Sequence, residues 1–411
     1  MAATPLHVSI HGGRHSLFDY VSDPRLAVRR FDETGGEPPD ILVLPAAQDP
    51  LKPEFWPGLP DRIWQAAAES RTRLVLDASV EGYLHHAVFS EALHRLLASR
   101  GVRPGDVAYV TQDRLYEADY EAWRRGAGVP PMRVFVYDYY IQRLALDLPA
   151  DGAAVYEARL RSFEAAGTSR PKAFLSLNYT PRATKLVFLL DLIDRGLWDD
   201  GLISFGGFES PEDGSDLTAG LVKRMHRLPG FRKLVRRLEP HLDELKAKGR
   251  ITFGLDGDPR TRTKQTYRAD ALAEYAQSWF SVVTETEMES RLNRLTEKSF
   301  KPLVNFHPML VLGNPGTLAL VRQYGFQTFG GLFDERYDEE PDARRRFDLV
   351  FAELERLCRQ DRERLPQMIA AVSETLKFNA RHGLVELPRR FREELGPGLV
   401  TALLDGWRTE A

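Results

Sequence analysis

The chain has 411 residues, 43% of them hydrophobic and 28% charged, with a formal net charge of −3. That length allows two or three domains, each able to bury a core without covalent staples, and the near-neutral balance gives no overall electrostatic reason to expect nucleic acid as a partner. Cys358 is the single cysteine, which excludes an intrachain disulfide and points to a reducing compartment.

In chain order, residues 6–10 read as a strand, and His11-Gly12-Gly13-Arg14 follows as a loop. Glycines there let the backbone approach a ligand closely, and they serve a plain tight turn equally well. Apolar runs at 41–44, 74–76, 107–110 and 134–136 supply four more strands, with helical patterns between them. In 90–99, for example, Leu93, Leu96 and Leu97 fall on one face. This alternation predicts a doubly wound α/β domain over residues 1–165. Within it, L-V-L-D-A-S-V-E-G-Y places Asp77 at the carboxyl end of a strand and Glu81 one turn further on. Open α/β sheets bind ligands at that end, and a partly desolvated carboxylate there can take a proton from a hydroxyl. Glu81 is the preferred base; Asp77 fits a helix cap equally well, and His11 and His15 are the alternatives.

The composition shifts to Ala, Gly and charged residues at 148–170, which marks a junction with the helix 153–165 as a bridge. A second domain over 166–340 then opens with a strand at 173–177, the turn Asn178-Tyr179-Thr180, Pro181 at a first helical position and Gly196 beyond the helix end. Arg182 and Lys185 occupy its first turn, the end where the helix dipole favours anions. A phosphate bound there removes the mismatch; solvated cations carrying a small cost are the plainer alternative. A strand at 202–205 precedes a basic helical stretch, 217–248, with Lys223, Arg224, Arg227, Arg232, Lys233, Arg236 and Arg237. It either draws an anionic acceptor or membrane surface or is a solvated face. A strand at 251–255 leads into Asp256-Gly257-Asp258. Such a pair can hold a metal ion, but two acids and a glycine also make a stock turn, the reading preferred here.

Residues 279–314 concentrate the chemistry. Between strands at 280–283 and 309–312, Thr296 is a candidate N-cap, followed by Glu297, Lys298 and Lys301, again cations at a helix start. Glu297 can accept hydroxyl donors or form an ordinary exposed pair with Lys301, and Pro302 requires the helix to kink or begin there. A short helix at 316–324 follows, then an acidic run, 334–342, with no partner visible in sequence. Helices at 342–362, 365–381, 388–394 and 399–408 fill a third region, 341–411.

Glu285, a polar spacer, Thr296-Glu297-Lys298, a helix and a Pro308-containing strand ending at Gly313 together resemble the donor-binding motif of the α-1,3-fucosyltransferase-like glycosyltransferases. The family's asparagine after the first Glu is Thr286 here, and its tyrosine two residues before the Thr-Glu-Lys is Arg294. The continuation through Gly325-Phe326, Thr328-Phe329 and 334–339 is similar to a wider set of bacterial polysaccharide glycosyltransferases. The resemblance implies a GT-B fold: two Rossmann-like α/β domains facing a cleft, with C-terminal helices bracing both. It implies donor contacts from Glu285, Glu297 and Lys298, beside which Asn178, Arg182, Lys185, Thr296 and Lys301 complete the candidate donor site. The expected activity is sugar transfer from a nucleotide-sugar, GDP-sugar favoured, to a glycan, lipid-linked sugar or protein acceptor, inverting and without metal or other cofactor. A transferase of CMP-activated acidic sugars and a non-catalytic nucleotide- or glycan-binding module are the alternatives. No apolar run suffices to span a bilayer and residues 1–7 lack a signal-peptide pattern. A cytoplasmic location, open to peripheral membrane association, is expected.

Overall fold

The structure is a computed structural model that describes residues 5–12, 17–19, 23–32, 35–45, 58–80, 82, 84–147, 151–167, 169–210, 214–253, 272–288 and 291–408. The chain is an α/β protein of two Rossmann-like units with C-terminal helices. Unit 1 comprises Met1–Arg143, Leu292–Arg294 and Arg389–Ala411; unit 2 comprises Leu144–Arg291 and Leu295–Pro388.

Unit 1 is built on six parallel strands: β1 (Leu6–Ile10), β2 (Leu26–Arg30), β3 (Ile41–Pro45), β4 (Arg73–Ala78), β5 (Val107–Thr111) and β6 (Arg133–Val136), in the order β2-β1-β3-β4-β5-β6. The inner strands are continuous apolar runs because helices cover the sheet. Those helices are α1 (Asp61–Ala68), α2 (Ala87–Ser99), α3 (Tyr116–Ala127) and α4 (Tyr139–Asp147). Leu42, Leu74, Leu76 and Tyr109 from the strands pack with Trp64, Leu93, Leu97 and Tyr116 from the helices in one buried cluster. Sequence reading missed β2. Its L-A-V-R-R pattern is mostly exposed, as an edge strand's can be, so it lacks the apolar signature of a central one.

Unit 2 carries four parallel strands: β7 (Lys172–Asn178), β8 (Gly201–Phe205), β9 (Ser278–Thr284) and β10 (Met309–Leu312), in the order β10-β9-β7-β8. Helix α5 (Gly152–Ala165) precedes them, and α6 (Ala183–Asp194) follows β7. After β8 come α7 (Thr218–Met225), α8 (Arg232–Leu238), α9 (Leu242–Ala247) and α10 (Leu272–Ala276). Helix α11 (Glu297–Leu303) links β9 to β10, and α12 (Thr317–Gln323), α13 (Ala343–Glu355), α14 (Leu365–Ala371) and α15 (Ser373–Arg381) follow. Two short π-helical turns then flank α16 (Leu387–Arg390), and α17 (Gly396–Arg408) ends the described chain. Ile251 makes a single antiparallel bridge to Phe205 rather than opening the expected strand, and Asp256-Gly257-Asp258 lies outside the described residues.

The division falls at Arg143/Leu144 rather than near residue 165. The reason is packing: Phe163 of α5 stacks on Phe306, Tyr156 meets the same ring at a tilt, and the buried Arg159 donates to the Val304 carbonyl at 3.0 Å. Residues 389–411 group with unit 1, where Arg133 donates to the carbonyls of Ala402 and Leu403, and Tyr137 packs on Phe391. The acidic run 334–342 now has partners. Asp338 accepts from the Leu318 and Ala319 amides at the start of α12, Asp342 accepts from Arg345 at the start of α13, and Glu335 accepts from the Phe329 amide. These acids cap helices and stitch loops.

Arg346, 1% exposed, donates to the carbonyls of Gly313, Glu340 and Met288 and so ties three loops of unit 2 together. Replacing it by Met strands three buried acceptors. Arg346→Met is expected to destabilise the folded chain by about 2–4 kcal/mol in chemical denaturation.

Candidate functional site

In unit 2 the chain leaves β7 for β8 on one side of the sheet and returns to β9 on the other. Loops leaving the carboxyl ends of β7 and β9 therefore diverge, and this reversal is where open α/β sheets bind ligands. The loop after β7 runs directly into α6. Gly206, after β8, packs so tightly against it that an added Cβ would lie 1.8 Å from the Tyr179 carbonyl oxygen. Only glycine permits that approach.

Helix α6 is apolar nearly all round and is buried along its length, including its first turn, Ala183, Thr184 and Lys185. No side chain caps its start, so the first-turn amides have no intrahelical acceptor. Thr184 is 6% exposed, and its hydroxyl has no hydrogen-bond partner among the described residues. Lys185 is 3% exposed and makes no hydrogen bond or ion pair among them. Burial, then the charges of Lys298 and Arg182, push its ammonium down from 10.5 to about 7, against the opposing pull of Glu297 and Glu285. The two helix starts singled out in the sequence thus share one electrostatic environment, with Arg182 exposed at its rim.

Thr296 caps α11 as expected, its hydroxyl oxygen accepting from the Lys298 amide at 3.3 Å. Lys298 Nζ reaches Thr286 Oγ1 and Thr296 Oγ1, both at 3.2 Å, and Glu297 Oε1 at 3.3 Å. Thr286, where the family has asparagine, therefore anchors Lys298. Burial raises the Glu297 carboxyl, but Lys298, Lys301 and its own backbone amide outweigh that and hold it at about 2. Its Oε2 is buried without a hydrogen-bond partner among the described residues. Lys301, a turn beyond, contributes its charge to Glu297.

Two expected donor contacts have other work. Glu285 is 6% exposed, and its two oxygens accept from Thr296 Oγ1 and Ser299 Oγ, each at 2.6 Å. It holds the α11 cap in place, and Gly313 leaves the room it occupies, since a Cβ there would sit 3.3 Å from the Glu285 side chain. Asn178 is fully buried, its amide donating to Ser176 Oγ at 3.0 Å and accepting from Thr284 Oγ1 at 2.7 Å. It pins the end of β7 to the end of β9. In this structure the side-chain bonds of both residues run to neighbouring side chains, which gives them a positioning role. Arg294, in the place of the family's tyrosine, groups with unit 1. His307 is neutral, its basicity lowered to about 3 by burial and Arg170, and it bridges Ser281 Oγ and the Ser278 carbonyl.

At the carboxyl end of β8 lies a cavity of about 510 Å³ lined by Phe205, Phe208, Glu209, Asp216, Lys246 and Arg250 among others. Phe205 and Phe208 meet edge to face at 5.2 Å.

In unit 1, Asp77 does sit at the carboxyl end of β4, but it is 1% exposed. It accepts from the Leu17 amide at 2.7 Å, the Ser79 amide at 3.1 Å and the Ser79 hydroxyl at 2.5 Å. Held by three donors, it braces the strand end in this structure. Glu81 and His15 lie outside the described residues; His11 follows β1, its amide bonded to the Val43 carbonyl. Sequence reading passed over Asp138, just beyond β6. Burial pushes its carboxyl up to about 6 against the pull of Arg114, which it pairs at 2.8 Å, and its side chain keeps 16% exposure. Its position between a strand and α4 was the available signal. Thr184 was missed too, although a hydroxyl in the first turn after Pro181 was equally legible.

Among the described residues no cluster of His, Cys, Asp and Glu is arranged to hold a metal ion, and no helix is long and apolar enough to cross a membrane. No protein-family model matches the chain, and no curated protein does. Among solved structures it is similar to a chain described as "Crystal structure of GtfA/B complex", at 8% identity and a TM-score of 0.35. That match covers 86% of this chain and 57% of the other, so this chain spans little more than half its neighbour's length. A likeness this slight assigns neither activity nor substrate.

Between pH 7 and 10.5 the unfolded chain holds a proton on Lys185 that the folded chain lacks, so stability rises with pH across that window. Below pH 7 both states hold the proton and the burial penalty is complete. Lys185→Met is therefore expected to raise Tm by a few degrees near pH 6, the gain shrinking toward pH 10. A pH series of thermal melts of both proteins checks this.

Proposed function

We propose that this chain is a glycosyltransferase that binds a nucleoside diphosphate sugar in unit 2 and moves the sugar to a hydroxyl acceptor. The observation that carries the reading is Lys185, a residue 3% exposed that makes no hydrogen bond or ion pair among the described residues, in the open first turn of α6 at the sheet's reversal point. A folded protein tolerates a lone buried cation when a ligand completes it. The other unmet groups describe that ligand. The Thr184 hydroxyl and the first-turn amides suit phosphate oxygens, whereas the acceptor Oε2 of Glu297, fully ionised, suits a sugar hydroxyl. A molecule offering phosphate and hydroxyls a few ångströms apart satisfies both. Lys185, Lys298 and Arg182 bring three positive charges, which fits a diphosphate better than a monophosphate and favours GDP- or UDP-sugars over CMP-sugars. The same cations would stabilise the charge that develops on the leaving diphosphate, the largest catalytic contribution such a site can make. The cavity beside β8 offers volume for the uncharged part of the donor.

Thermal-shift titration with GDP, UDP and CMP tests the donor reading. GDP or UDP is expected to raise the Tm of the wild type by mass action and to leave Lys185→Met unmoved, with affinity falling above pH 7 as Lys185 loses its proton. Equal shifts in both proteins would remove the proposal.

A further inference from the structure

We propose that the outer face of α7 and α8 is a docking surface for an anionic lipid bilayer. Between Leu217 and Leu238, all of them described, the sequence has seven cations and no acid, in a chain whose net charge is −3. Helix α7 buries Leu221 and Met225, and α8 buries Leu234, Val235 and Leu238. Those inward faces leave Lys223, Arg224, Arg227, Arg232, Lys233 and Arg236 exposed on the outside of the layer covering α6. None of the six makes a hydrogen bond or ion pair among the described residues. The seventh, Arg237, is already spent on Asp191 at 2.8 Å and Asp194 at 3.2 Å.

The arrangement departs from this protein's own habit. Its other exposed helices pair cations with acids one turn away, as in Arg389–Glu393, Arg390–Glu394 and Arg344–Asp348. Six like charges without counterions repel one another, a cost that an opposing anionic surface removes. The chemistry of the face selects the kind of surface. Between Leu217 and Leu238 the one Phe, Tyr or Trp, Phe231, is fully buried, and the half-buried His226 ring is bonded to Glu239. The face therefore offers no stacking platform of the kind that seats sugars or single-stranded nucleic acid. None of the six cations lines the neighbouring cavity, so they take no part in binding a small ligand there. What remains is a broad, purely electrostatic contact, the type that juxtaposes Lys and Arg with acidic headgroups.

Co-sedimentation of the full chain with vesicles tests this, using phosphatidylcholine alone and phosphatidylcholine carrying ~30% phosphatidylserine, a typical acidic composition. Binding is expected only with phosphatidylserine, weakening steeply as salt is raised. Charge reversal at Lys223, Arg224 and Arg227, or at Arg232, Lys233 and Arg236, should lower the partition coefficient by about a hundredfold, roughly fivefold per cation removed. Nucleotide binding should be unchanged in both variants, which separates failure here from failure of the donor site. Equal binding to neutral vesicles, or acidic-vesicle binding that survives both reversals, would overturn the proposal. So would capture by a soluble anionic polysaccharide with no vesicle binding. If a triple reversal melts early, neutralising the same positions to Gln one helix at a time gives the same readout.

Discussion

A lysine only 3% exposed in an uncapped first turn, with no hydrogen bond or ion pair among the described residues, is the constraint around which the second unit is arranged. Lys185 belongs to a helix that is buried along its length. Its neighbours make matters worse: Lys298 and Arg182 are of the same sign. Proteins neutralise such a group, pair it, or hold it for something that arrives later. Here it is drawn toward neutrality at about 7, and the unmet oxygens of Thr184 and Glu297 lie in the same unit. Much of the surrounding polar structure keeps this arrangement fixed. Glu285 locks the α11 cap through two hydroxyls, Asn178 ties two strand ends together, and Thr286 steadies Lys298.

The carboxyl edges of the two sheets have been used differently. At the end of β4, Asp77 accepts from Leu17 and Ser79, and at the end of β5, Asp113 accepts from the Leu115 and Asn293 amides. Both units keep some buried polar atoms without a hydrogen-bond partner among the described residues, Gln112 Oε1 and Asp113 Oδ2 in unit 1, the Thr184 hydroxyl and Glu297 Oε2 in unit 2. What sets unit 2 apart is the positive charge gathered beside them, Lys185 with Lys298 and Arg182.

Most strands were legible because parallel sheets covered by helices demand uninterrupted apolar runs, and residues 41–45, 107–111 and 309–312 are such runs. The edge strand β2 carries Arg29 and Arg30 and so looked like loop. The Thr296 cap was legible from local chemistry alone, as was the misfit of cations with the helix dipole at Arg182 and Lys185. The duties of Asp77, Asn178 and Glu285 were not. A buried acid and a ligand-binding acid share one letter, and only the tertiary placement of Ser79, Thr284 or Ser299 decides between them. The acidic run at 334–342 likewise became intelligible only when the amides of α12 and α13 were in place. The unit boundary moved for a similar reason, since the affinity of α5 for Phe306 is not written in its own composition.

The chain passes between the units at Arg143, again on either side of Leu292–Arg294, and finally at Pro388. Unit 1 is thus assembled from stretches far apart in sequence: Arg133 of β6 meets the Leu403 carbonyl 270 positions further along, with almost all of unit 2 between them. Residues 1–143 produced alone would lack Ala402 and Leu403, whose carbonyls Arg133 grips.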